Sequence, residues 1–197
     1  MLKSFFMAGG PLIVPLILCS IVGVAIVLER VFYWFTFKAR FDSVLVEKVY
    51  FLLSQSRMTE AMNKIGDSKD PSLLCVRKCL ETHQKIKPLT LESMASQTLK
   101  PTKRFERGLE TIITIAPLLG ILGTVLGIII SFQGAGPNGM SNPAAMMSGL
   151  SQALITTALG LGISIALLVF HNYFLKLADS TREKLEEELT LFEELAS

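Results

Sequence analysis

Between Thr111 and Phe170 the chain holds no Asp, Glu, Lys, Arg or His. That absence excludes a proton relay made from these residues alone, because a relay needs a titratable group inside the membrane. It also excludes acid–base chemistry within the stretch. No hydrolase, kinase or zincin signature occurs elsewhere, and no paired carboxylates fall in a plausible pocket, so neither an enzyme nor a bound cofactor is expected. A net charge of +2 is too small for the basic footprint of a nucleic-acid binder. Cysteine is scarce, and three residues, Cys19, Cys75 and Cys79, make no disulfide framework. Cys19 lies in an apolar run and reads as a packing residue. Cys75 and Cys79, with His83 one turn further, put three soft ligands on one helical stripe. Zinc requires a fourth ligand and usually a tighter cysteine spacing, so no metal is expected and the thiols read as reduced.

What the chain has in quantity is apolar surface. Half of its 197 residues are hydrophobic and only 18% are charged. Three runs stand out: Leu12–Leu28, Thr111–Phe132 and Leu150–Phe170. A hydrocarbon core needs about 20 helical residues, and each run meets that length with help from its flanks. Glu29 and Arg30 follow the first run and read as an interfacial pair, more structural than chemical. Tyr33 and Trp34 stand where an interfacial aromatic belt is expected. The first run is longer than a signal-peptide core, and no small-residue cleavage site follows it, so it reads as a retained span.

Basic residues set the orientation. The long loop carries Lys38, Arg40 and Lys48 near one end and Lys100, Lys103, Arg104 and Arg107 near the other. The tail carries Lys176, Arg182 and Lys184, the loop 134–149 carries no charge, and only Lys3 precedes the first span. The long loop and the C-terminus are therefore expected inside and the N-terminus outside. The expected order is an outside segment at 1–10, spans at 11–35, 109–133 and 150–175, a cytoplasmic helical region at 36–108, an outside loop at 134–149 and a cytoplasmic helical tail at 176–197.

The cytoplasmic region reads as helical. Asp70-Pro71 is a helix start, with Asp as N-cap and Pro at the first helical position. That helix is expected to end near Lys87, ahead of Pro88. Thr90 is expected to cap the next helix, and Pro101 to kink or interrupt it. In the tail, Leu185, Leu189 and Phe192 form one stripe amid glutamates, and Lys184 pairs with Glu188 at helical spacing. The stripe is expected to pack on neighbouring subunits.

The second and third spans each carry a polar, small-residue face. Pro117, Gly120, Thr124, Gly127 and Ser131 recur at three- or four-residue spacing, as do Thr157, Gly160, Ser164 and His171. Gln152 and Thr156 form a neighbouring stripe. Two roles suit such faces. Gly120, Gly123, Gly127 and Gly160 would allow close helix packing, with Pro117 as a kink. Thr124, Thr157, Thr156, Gln152, Ser131 and Ser164 would together line an ion path. Gly134-Ala-Gly136-Pro-Asn-Gly139 fits a dinucleotide fingerprint by letter only, since no strand precedes it. Asn142-Pro143-Ala144 occurs once, without the repeat that a water channel requires.

Ala116-Pro-Leu-Leu-Gly-Ile-Leu-Gly-Thr-Val-Leu-Gly127 resembles the second span of the ExbB/TolQ/MotA proton channel family, and Leu154-Ile-Thr-Thr-Ala-Leu-Gly-Leu161 resembles its third. Phe6 through Pro15, Glu29-Arg30 and the basic approach Arg104–Leu109 are similar to the three-span ExbB and TolQ branch. The resemblance implies an all-α membrane protein in the bacterial inner membrane, with three transmembrane helices and long helical cytoplasmic extensions. It implies a homo-oligomer, a pentameric bundle around a central pore that encloses a single-span ExbD- or TolR-like partner. The intramembrane Asp of that partner carries the proton, and the complex drives a TonB- or TolA-like protein with the proton motive force. Thr124 and Thr157 match the pore threonines. Gln152 stands where many relatives have Glu; it cannot titrate, and either H+ or Na+ stays open as the coupling ion. Outside the resemblance, the alternative is a non-conducting scaffold that only organises partner helices.

Overall fold

The computed structural model describes residues 10–66, 68–81, 88–134 and 143–194. His83, the segment 1–9 and loop residues 135–142 lie outside the described residues, as do the side chains of Thr90, Glu193 and Glu194. The described residues are almost all helical, joined by short turns, with no strand among them. Three helices are long and apolar enough to cross a membrane.

Helix α1 spans Ile13–Lys38. Gly10, at φ +64°, turns the chain into it, and the Ile13 N–H reaches the Gly10 carbonyl at 3.2 Å. Pro15 falls in its first turn, where an N–H has no intrahelical partner to lose. Four short helices follow: α2 (Ser43–Ser54), α3 (Met58–Ile65), α4 (Pro71–Glu81) and α5 (Pro88–Leu99). A 3-10 turn, Lys100–Lys103, leads to α6 (Glu106–Gly134), and α7 runs unbroken over Pro143–Glu194.

Contacts divide the chain into two compact units. The first draws on Met1–Glu29 and Phe105–Tyr173, the second on Arg30–Arg104 and Phe174–Ser197. In the first unit α1 meets α7 at Gly23, where an added Cβ would lie 2.5 Å from a Leu167 methyl. Its outward surface is apolar, with Ile21, Leu28, Leu154, Ile165 and Val169 all more than half exposed. Lipid or protein neighbours suit that surface better than water.

The second unit is organised around Asp70, which is wholly buried. Its Oδ1 accepts the Ser72 and Leu73 N–H groups at 2.8 and 3.3 Å, capping α4 as the Asp-Pro pair predicts. Its Oδ2 accepts the Asp42 N–H at 2.7 Å, just where Asp42 itself caps α2 through the Leu45 N–H. Thus one carboxylate fixes two helix starts. The Ser72 hydroxyl in turn donates to Glu188 on α7. Helix α2 ends on Ser56 at φ +59°, with Arg57 N–H on the Leu52 carbonyl and Ser56 N–H on that of Leu53, a left-handed cap normally given to Gly.

Three expectations change here. Leu185, Leu189 and Phe192 do not await a neighbouring subunit: they are buried within their own chain, where Phe192 meets the Tyr50 ring edge-on at 6.1 Å between centroids. Trp34 is not an outward belt residue, because it is buried against Tyr33 and Phe37, and its indole N–H has no partner among the described residues. The outward aromatics there are Phe32 and Phe35, 72% and 79% exposed. Helix α5 begins at Pro88 rather than after Thr90. Proline at a first helical position needs no N–H, so Pro88 opens the helix three residues early.

Candidate functional site: the α6–α7 seam and its hydroxyls

Glycine lets α6 and α7 approach closely. A Cβ on Gly120 would lie 3.0 Å from the Thr157 Cα, and one on Gly160 2.5 Å from the Ala116 carbonyl oxygen. A Cβ on Gly123 would strike the Thr156 hydroxyl, and one on Gly127 would lie 2.7 Å from both the Ala153 Cβ and the Gly149 carbonyl. The facing residues Ala116 and Ala153 are buried and equally small. Backbones this close exchange dispersion contacts that lipid cannot supply.

The hydroxyls along the seam donate to backbone carbonyls. Pro117 has no N–H for the carbonyl of Ile113, one turn earlier in α6. The Ser164 hydroxyl, from α7, donates to that carbonyl at 2.7 Å. Thr157 donates across the seam to the Gly120 carbonyl at 2.8 Å. Ser131 sits within 2.9 Å of both the Gly127 and the Met146 carbonyls. Thr156 turns back on the Ala153 carbonyl at 2.9 Å. Thr124 does likewise on Ile121 at 2.6 Å.

These residues differ in access. Ser131, Thr156 and Ser164 are buried between the helices. Thr124, Thr157 and Gln152 are half-buried and keep open surface. The Gln152 amide lies against the chain entering α1: a Cβ on Gly10 would overlap its Nε2. Pro117 is half-buried in α6. Nothing in the spacing of polar residues foretold the contact of Gly10 with Gln152. By contrast, the Ser164 bond had a visible signal, a proline inside a span that leaves one carbonyl unserved.

Glu29 and Arg30 part company. Glu29 is exposed, whereas Arg30 is buried. The Arg30 guanidinium donates to the Pro101 and Thr102 carbonyls at 3.0 and 3.2 Å and lies 4.5 Å from the Tyr33 ring centroid. It fastens the 3-10 turn to α1 instead of snorkelling to water.

Cys75 and Cys79 are buried, and His83 lies outside the described residues. Among those described, no three His, Cys, Asp or Glu side chains converge. Burial pushes both thiols above their ordinary range. A contact with the Thr98 hydroxyl at 3.4 Å partly offsets this at Cys75, and Cys75 itself adds to it at Cys79. Such thiols are poor nucleophiles.

The profile of the MotA/TolQ/ExbB proton channel family matches residues 68–187, which include all of α6 and the glycine-bearing part of α7. The chain is 35% identical over 179 residues to a putative biopolymer transport protein ExbB-like 3 of Synechocystis, covering 85% of this chain and 82% of that one. It is 29% identical over 186 residues to a putative ExbB homolog of Methanothermobacter thermautotrophicus, covering 93% of this chain and 66% of that one. A biopolymer transport protein ExbB of Helicobacter pylori is 43% identical over 76 residues, 39% of this chain and 52% of that protein.

Proposed function

The chain belongs to the MotA/TolQ/ExbB proton channel family, and from that premise we propose that it is the channel-forming subunit of an ion-driven motor. In this proposal copies of the chain assemble, as a pentamer, around a single-span ExbD- or TolR-like partner. Protons taken up by an intramembrane Asp of the partner drive a TonB- or TolA-like protein. The N-terminus faces the periplasm and the C-terminus the cytoplasm. The chain acts as a transport component and not as an enzyme.

One observation carries the proposal: Thr124 and Thr157 keep open surface within the stretch Thr111–Phe170, which has no Asp, Glu, Lys, Arg or His, in a protein of this family. Both hydroxyl protons are committed, to Ile121 and Gly120 carbonyls. What each threonine offers outward is therefore lone pairs. A protonated carboxylic acid donates to such oxygens, whereas a carboxylate, itself only an acceptor, gains nothing from them. The ring thus favours the neutral acid while it passes, and the charge must form where water or another donor stands. Gln152 supplies amide donors without titrating. Ser131, Thr156 and Ser164, spent inside the seam, support the wall instead of facing the path. Each unit charge crossing the membrane yields about 2.3 kcal/mol per 100 mV, enough to bias a mechanical step.

The test is complementation of a deletion strain, with membrane insertion followed in parallel. Thr124→Val and Thr157→Val are expected to abolish energy-dependent function and leave insertion intact, since Thr124 bonds its own helix and the interhelical bond of Thr157 is of a kind that averages only about 0.6 kcal/mol in a bilayer. Gln152→Glu is expected to be tolerated. Normal function in both valine variants would move the assignment to a non-conducting scaffold, for which the seam alone suffices.

A further inference from the structure

Beyond the seam, the second unit holds a groove between the end of α5, the 3-10 turn and α7. Ala95 and Leu99 form its apolar floor, and Lys100, Lys103, Arg182 and Glu186 its charged rim. Its volume is about 200 Å3, several times the roughly 30 Å3 share of one water. Arg182 and Glu186 bond each other at 2.6 Å, which neutralises that pair. Lys100 and Lys103 are exposed and leave the rim with a net positive charge.

Depth identifies the ligand. Arg30 holds the turn to α1 through the Pro101 and Thr102 carbonyls. From Arg30, α1 goes on presenting large apolar side chains outward as far as Phe35, which is 79% exposed. At 1.5 Å per residue that apolar surface extends about 7 Å further along the helix than the level of Arg30. The turn that bears the two lysines is thus fixed to α1 at a level beyond which apolar side chains still face outward, and we take that level as the headgroup depth. Cations at that depth attract anionic lipid, and the apolar floor receives the start of an acyl chain.

We propose that this groove binds the phosphate of an anionic phospholipid through Lys100 and Lys103. Two sources present a phosphate group there, a lipid of the adjoining leaflet and free phosphate in solution; the apolar floor and the depth select the lipid. Binding would tie the approach to α6 to the membrane surface, independently of any channel activity.

The test uses the full-length protein in detergent, titrated with phosphatidylglycerol, phosphatidylcholine or inorganic phosphate and followed by native mass spectrometry. Phosphatidylglycerol is expected to bind in preference to phosphatidylcholine. K100Q/K103Q is expected to weaken it at least about tenfold, since each lysine near an anionic surface contributes roughly a factor of five. K38Q/R40Q removes the same charge from elsewhere and is expected to change binding by less than about twofold. Equal losses in the two double variants would reduce the effect to diffuse attraction and overturn the site. So would equal binding of the two lipids. Displacement of phosphatidylglycerol by equimolar inorganic phosphate would assign the groove to soluble phosphate and overturn the lipid. Lys38, Arg40, Lys100 and Lys103 are all exposed, so neither double variant disturbs a core.

Discussion

Pro117 takes an N–H away from Ile113 in a region where no lipid can replace it, and Ser164 supplies the donor from the other helix. Removing that donor leaves a buried carbonyl unserved. Ser164→Ala is therefore expected to cost about 1–2 kcal/mol. In a Pro117→Ala background the backbone N–H returns, and the same substitution should cost only a few tenths of that. A double-mutant cycle measured by reversible unfolding in micelles decides it; equal costs in both backgrounds would dissolve the link. At this scale the sequence was legible in part. The charge-free spans and their hydroxyls could be read directly. Which hydroxyls face one another and which keep open surface could not, because Thr124 and Thr156 look alike on a helical wheel and differ only in what packs over them. Arg30 misleads for a related reason: its neighbours in sequence are a span end, but its partners at Pro101 and Thr102 lie far along the chain.

Helices α6 and α7 meet through absent side chains, and two glycines of α7 separate seam from surface. At Gly160 an added methyl lies 2.5 Å from the Ala116 carbonyl oxygen, while at Gly162 nothing lies within 4 Å. Gly160→Ala is expected to destabilise by about 1–3 kcal/mol through overpacking. Gly162→Ala is expected to be neutral, or to stabilise by up to about 1 kcal/mol through helix propensity. Thermal unfolding of the two variants in the same detergent compares them, and similar losses would mean that the seam is not where these contacts put it. The spans were visible as apolar runs, because hydropathy over about 20 residues carries its own meaning in a bilayer. Periodicity in the tail was also visible, but it says which face is apolar and not what covers it. For that reason Leu185, Leu189 and Phe192 read as an open stripe when they are core.

Over the whole chain, the distribution of lysine and arginine argues the orientation proposed above. An alkaline phosphatase fused after Ser197 is expected to be inactive, and one fused after Gly139 active, because the enzyme matures only outside the cytoplasm. The reverse pattern would invert the proposed direction of work. Phosphatase activity at both junctions would remove the third span.

The second unit is assembled from two stretches of chain, Arg30–Arg104 and Phe174–Ser197, with two membrane spans translated between them. Its early stretch therefore leaves the ribosome without the strip that Leu185, Leu189 and Phe192 provide, and without Glu188 for Ser72. Until the last residues are made, the buried faces of the early helices have no lid. A chain cut after Tyr173 is therefore expected to be cleaved faster than the 197-residue chain within Arg30–Arg104 under limited proteolysis, and equal resistance would show that the strip is not needed to close that core.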